Sequence, residues 1–261
     1  MALPSLANWD STRTGLHQAA QVVGAIRKLD ATPLPNYLHL ALEVVPQGVT
    51  SGELAPSMGG ELVLDFAQRA IVYTGPAGTV NPVPLEGHTQ VSLLDAVLAA
   101  MEQTGHPGQP DRAKITGGEP LNIHPDAGRE YQQALYSIYT AIARFKARLF
   151  GSMSRMVVWP HGFDLSFLWF ARGMDEGQDP HLNFGFSPGS PGFARPYVYS
   201  YAHPKPPGMF DTRLPDGARW NTDPWTGIAI DYEVLAAEAD SEAALENKLL
   251  QIHAALAPLL G

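Results

Sequence analysis

The chain has 261 residues, with 17 basic and 26 acidic side chains, a formal net charge of −9 and no cysteine. Without cysteine there are no disulfides, thiol nucleophiles, iron–sulfur clusters or zinc–thiolate centres. The acidic balance argues against nucleic acid or an anionic membrane as partner; the densest basic stretch, Arg144, Lys146 and Arg148, reads as a solvated helix face.

The opening residues lack a basic segment followed by an apolar stretch, and nowhere do ~18 apolar residues run together. No membrane association and a cytoplasmic location are therefore the expectation.

In chain order, Leu16, Ala19, Ala20, Val23 and Ile26 recur at helical spacing and predict a helix over 14–29, stopped by Pro33 and Pro35. Residues 37–54 alternate and turn at Gly48, as a strand, a turn and a second strand would. Residues 60–75 predict a hairpin around Ala67–Arg69, with Leu62, Leu64 and Phe66 on one face. Residues 91–105 predict a helix ending at Gly105. Residues 106–128, rich in Pro, Gly and Asp, read as a connector.

A long helix is predicted over 129–150, then strands at 155–159, 163–170, 195–202 and 226–232. A last helix over 241–260 takes Ser241 as its N-cap. The sum is an α+β protein with a mixed or antiparallel sheet and flanking helices. Its halves, 1–105 and 129–261, are joined by the 106–128 connector into one compact unit. Helix, strands, helix recurs in 14–104 and 129–260, which is either an internal duplication or a coincidence of a common order.

Three motifs fail on physical grounds. "TGGEPL" (116–121) looks like the Gly-Gly-Glu segment of radical S-adenosylmethionine enzymes, but no cysteines exist to hold their cluster. "GFSPG" (185–189) fits a nucleophile elbow, yet the residue after Ser187 is Pro188, which has no N–H for an oxyanion hole. "DEGQDPH" (175–181) lacks the spacing of a calcium loop and reads as a solvated acidic loop.

"VVWPHGFDLSFLW" (157–169) carries the sharpest signal. Pro160 and Gly162 predict a turn with His161 at its tip. Phe163, Leu165, Phe167 and Trp169 then line one strand face, and Asp164, Ser166, Leu168 and Phe170 the other. With both faces largely apolar, the strand is expected to be central and Asp164 desolvated. His161 and Asp164 are then either an acid/base pair at the mouth of an apolar pocket or groups that finish a turn.

In "RPYVYSYAHP" (195–204), Tyr197, Tyr199, Tyr201 and His203 share one face, as walls of a ligand groove or as a half-wet sheet. His17 and Gln21 lie four apart on one helix face, and His39 follows Asn36 in a predicted strand. Nine histidines offer a metal site without cysteine, but their spacing fixes no ligand set.

These segments together resemble a widespread group of bacterial conserved domains of unknown function. The resemblance rests on Trp9, "LHQAAQVVGAIR" (16–27), Pro33, Asn36 and His39, "GVT" (48–50), "HGFDLSFLWFARG" and "YVYSYAHPKPPGMF". It singles out Trp9, His17, Gln21, Asn36, His39, Thr50, Asp164, Arg172, Tyr199 and Tyr201. Ala25 stands where the group usually has Lys, and "LWFARG" departs from the expected Arg-Phe. The resemblance brings no activity or cofactor with it.

The expected function is small-molecule binding, with His161 and Asp164 in acid/base catalysis or a histidine-bound metal. His17, Gln21, Asn36, His39, Arg172, Tyr199 and Tyr201 would hold the ligand. The competing expectation is a non-catalytic interaction module.

Overall fold

A computed structural model describes residues 2–7, 9–103 and 108–261. The chain divides into two compact units. One comprises Leu6–Tyr136 with Val158–Phe163, the other Met1–Ser5, Ser137–Val157 and Asp164–Gly261.

The N-terminal unit opens with helix α1 (Trp9–Arg27). Its sheet is an antiparallel meander in sequence order: β1 (Glu43–Val45), β2 (Gly48–Glu53), β3 (Glu61–Asp65), β4 (Ala70–Thr74) and β5 (Val80–Pro84). The β3–β4 hairpin has the predicted turn, and Leu62, Leu64 and Phe66 are buried. Helix α2 (Gln90–Glu102) starts with a capping box in which Thr89 and Ser92 satisfy each other's backbone N–H. α1 packs on β2 and β3, and α2 on β4 and β5. The unit's aromatic centre joins Trp9, Phe66, Tyr131 and Phe163 at ring separations of 4.3–5.9 Å.

Helix α3 (Pro125–Ala147) passes from this unit to the other between Tyr136 and Ser137. Two short strands follow, β6 (Ser152–Met153) and β7 (Val157–Trp159). The C-terminal unit then adds β8 (Asp164–Phe170), β9 (His181–Ser187), β10 (Tyr197–His203), β11 (Ala218–Asn221) and β12 (Gly227–Asp231). Its strand path is β11-β12-β10-β9-β8-β6, antiparallel at each step. Helices α4 (Tyr232–Ala236) and α5 (Ser241–Leu256) close it.

The fold is thus α+β with antiparallel sheets. The two faces of the C-terminal sheet differ sharply. Phe167 and Phe184 point one way and meet Phe145 of α3 and His253 of α5. Arg144–Glu242 (3.2 Å) and Arg148–Glu246 (2.9 Å) tie the same two helices at the surface. The opposite face is polar and aromatic.

Several elements depart from expectation. α1 begins at Trp9, not Thr14, because buried Trp9 and Thr12 continue its apolar stripe and Asp10 suits the first turn. His39 lies in a short 3₁₀ segment, Pro35–Leu40, not a strand: Asn36 and Tyr37 adopt φ values of 53° and 56°, which extended pairing does not allow. Phe163 is not on the face of a strand either. Its φ is 57° and its N–H donates to the Trp159 carbonyl at 2.7 Å, so it closes the turn and β8 starts at Asp164.

The N-cap of α5 is Asp240, whose carboxylate accepts from the Ala243 N–H at 3.3 Å, while Ser241 is inside the helix and buried. That helix ends at Leu256, and Pro258 sits in a 3₁₀ turn, Ala257–Leu259. The predicted stop of α2 at Gly105 falls outside the described residues. Strands β5, β9 and β11 had no counterpart in the sequence reading. β5 carries Pro82 and Pro84 at the sheet edge, where a missing N–H costs no ladder bond.

No helix among the described residues is long and apolar enough to cross a membrane.

Candidate functional site

Strand register builds the site in the C-terminal unit. Tyr197, Tyr199 and Tyr201 of β10 stand opposite Ser187, Gly185 and Asn183 of β9. Gly185 in turn stands opposite Ser166 of β8. Asp164, Ser166, Asn183 and the three tyrosines therefore share one face, and on its other side β12 contributes only Ala229 opposite Tyr199. Small residues in mid-sheet leave room for rings to lie across it.

Tyr199 uses that room. A Cβ on Gly185 would stand 2.3 Å from its ring carbon Cζ and 2.5 Å from its oxygen, so the phenol lies directly over the glycine. It crosses β9 and donates to Asp164 Oδ2 on β8. A glycine inside a strand weakens it and marks a close approach. Here the approaching group is the phenol.

Around this pair the aromatic rings are contiguous. Tyr201 stacks on Tyr199 (6.2 Å, 5°), and its oxygen accepts a hydrogen bond from Asn183 Nδ2 at 2.7 Å. Trp225 meets Tyr199 edge-on at 6.1 Å and stacks on Tyr197 at 6.0 Å. Phe193 stacks on Tyr197 at 4.1 Å, with the Arg219 guanidinium over its ring at 5.0 Å.

Burial chiefly, then the Asp164 charge and its hydrogen bond, push the Tyr199 hydroxyl well above its ordinary pKa, against an opposing hydrogen bond with Ser166. Tyr199 stays protonated. Burial also raises Tyr201, opposed by the Asn183 hydrogen bond.

In the N-terminal unit His17 and Gln21 meet the turn at 160–163. His17 Nε2 lies 3.1 Å from the carbonyl oxygens of both Pro160 and His161. Carbonyls only accept and are served when this nitrogen carries the proton, whereas the Gln21 amide nitrogen only donates and is served when it does not. Gln90 is oriented by the N–H groups of Thr116 and Gly117, which donate to its Oε1 at 3.1 and 2.9 Å. Its Nε2 donates to Gln21 Oε1 at 2.7 Å, which leaves the Gln21 amide nitrogen 3.2 Å from His17 Nε2.

Burial lowers the His17 pKa; the two carbonyls oppose this, and His161 and Arg13 add to the lowering. The ring also stacks on Phe163 at 5.7 Å. His17 is therefore a half-buried clasp on the turn.

His161 is exposed at the tip, as the turn predicts, with its ring 6.0 Å from Trp159. Asn36 takes a left-handed conformation, and His39 Nδ1 accepts from the Leu34 N–H at 3.1 Å. Arg172, in the other unit, donates to the Leu260 carbonyl at 3.4 Å. Thr50 is buried in β2 beside an irregularity in the β2–β3 register; its hydroxyl donates to the Leu62 carbonyl at 3.0 Å and accepts from the Gly52 N–H at 2.9 Å. His161 and Asp164, three residues apart, fall in different units.

Sequence reasoning missed Asn183, Gly185 and Trp225. "NFG" in an aromatic stretch gave no periodic signal, and Trp225 lies in the turn before β12. No group of three or more His, Asp or Glu side chains among the described residues is placed to hold a metal ion.

This is the architecture of an α+β protein whose C-terminal antiparallel sheet carries a carboxylate–phenol pair on an aromatic face. The chain belongs to a family of unknown function, DUF5996, whose model matches residues 2–261. No curated protein and no solved structure matches it.

Proposed function

We propose that this protein binds a small molecule on the polar face of the C-terminal sheet and acts on it as an enzyme, with Asp164 as acid/base group. The observation that carries the reading is the path of Tyr199 over Gly185 to Asp164. A strand gives up a side chain at its centre so that a protonated phenol can hold a carboxylate among aromatic rings. Tyr199 positions Asp164 and keeps its own proton; proton transfer falls to the carboxylate. The rings of Tyr201 and Trp225, both partly buried, supply apolar area beside it.

The net charge of −9 speaks against nucleic acid as the partner. With no three-donor set of His, Asp or Glu among the described residues, acid/base chemistry is favoured over a histidine-bound metal. The cytoplasm is the location we propose; no helix among the described residues is long and apolar enough to cross a membrane.

A thermal-shift screen of metabolites on wild type, Asp164→Asn and Tyr199→Phe tests the reading. The expected result is a ligand that stabilises wild type but not Asp164→Asn, with the variant still cooperatively folded. A panel that leaves wild type unmoved, or one that stabilises Asp164→Asn equally, overturns it.

A further inference from the structure

The C-terminal sheet carries a continuous run of oxidisable rings. Tyr201 stacks on Tyr199 at 6.2 Å, Tyr199 lies 6.1 Å from both Trp225 and Tyr197, and Trp225 stacks on Tyr197 at 6.0 Å. Tyr201 and Trp225 are partly buried, at the rim, whereas Tyr197 and Tyr199 are buried. Rings this close let an electron vacancy pass from the rim to the interior. It settles where the ring can also release a proton, because an oxidised phenol is a far stronger acid than the phenol itself.

Among these rings one has a base in place to receive that proton. Trp225 Nε1 is buried without a partner, Tyr201 takes its bond from Asn183 Nδ2, and Tyr197 shares one with the Ser190 hydroxyl at 2.8 Å. Tyr199 alone of the run donates to a carboxylate, Asp164 Oδ2. Its ring lies over Gly185 and is buried, out of reach of a second radical that would couple to it.

We propose that this run is a one-electron relay: an oxidant at the surface draws an electron from Tyr199 and leaves a buried neutral tyrosyl radical. The phenolic O–H bond breaks, and its proton forms an O–H bond on Asp164. The oxidant, a one-electron acceptor that meets the rim rings, is reduced by that electron. The carboxylic acid then donates a hydrogen bond to the phenoxyl oxygen. A one-electron donor reverses the step, and Asp164 returns the proton. Until it is oxidised Tyr199 stays protonated, so the relay adds a redox role to the pair and does not depend on a bound small molecule.

The test photo-oxidises the full-length protein with tris(bipyridine)ruthenium and persulfate, freezes it, and reads it by electron paramagnetic resonance. The expected signal is a neutral tyrosyl radical coupled to one exchangeable hydrogen, the Asp164 proton, which deuterium replaces in heavy water. Tyr199→Phe and Asp164→Asn, each checked for cooperative unfolding, should lose this coupled signal. Tyr37→Phe, at a ring that is 70% exposed, should keep it.

A wild-type radical without the exchangeable coupling, or no trapped tyrosyl radical at all, overturns the relay. So does a coupled signal that persists in Tyr199→Phe. Because the coupling is read in wild type, a variant that fails to fold does not blunt the result.

Discussion

Tyr199 reaches across an intervening strand, above Gly185, to place its phenolic proton on Asp164. The bond links β10 to β8, which share no ladder. It is made in a part-buried setting, with Tyr199 itself buried, where leaving the carboxylate without its donor is costly. Tyr199→Phe keeps the ring and deletes the donor. It should lower stability by about 1–3 kcal/mol, read from the denaturant midpoint. An unchanged midpoint would mean the bond contributes nothing.

The glycine under that phenol makes a sharper prediction. Gly185→Ala places a methyl 2.3 Å from Tyr199 Cζ and 2.7 Å from the Leu165 carbonyl oxygen. Overpacking of this kind costs about 1–3 kcal/mol. Because part of the clash is with the tyrosine, Gly185→Ala combined with Tyr199→Ala should cost less than the two changes added. Strict additivity in the double-mutant cycle would separate the two residues.

Gly24 in α1 should behave against helix propensity. Alanine normally stabilises a helix interior by about 1 kcal/mol relative to glycine. Here its Cβ would stand 2.6 Å from both Cβ and Cγ of Pro160, in the turn that His17 clasps. Gly24→Ala is expected to lower the thermal midpoint; a rise would show that the turn yields easily.

Acid should destabilise the protein through one buried histidine, His181, and two half-buried ones, His17 and His253. Burial is the leading cause of the lowered pKa at His17, His181 and His253. Each folded value is below the ordinary 6.5, so the unfolded chain binds protons first as pH falls. Stability is complete above about pH 6.5 and declines below it. His253 makes the separable case: Trp169 meets it edge-on at 4.6 Å, Phe184 lies at 6.4 Å, and its buried Nε2 has no partner. His253→Leu removes an unsatisfied nitrogen and should flatten the stability–pH curve between neutral pH and pH 5. Equal slopes in parallel urea titrations would refute this.

What the sequence determined by itself was local. The helical stripe of Leu16, Val23 and Ile26, the 60–75 hairpin and the single-face run Tyr197-Tyr199-Tyr201 each follow from side-chain period, which three or four residues suffice to display. The turn at Pro160–Gly162 was legible for the same reason, with His161 at its exposed tip.

Strand β9 was not, since "HLNFGFS" is buried on both faces and has no alternation to betray it. The pairing of Asp164 with Tyr199 depended on two antiparallel registers, and a shift of one residue in either would have turned the phenol to the opposite face. Likewise Gly185, Asn183 and Trp225 acquire meaning only beside neighbours brought by other strands. Periodicity is a property of one segment. Complementary placement across segments is settled when the sheet assembles, because register and packing, not residue type, decide which side chains meet.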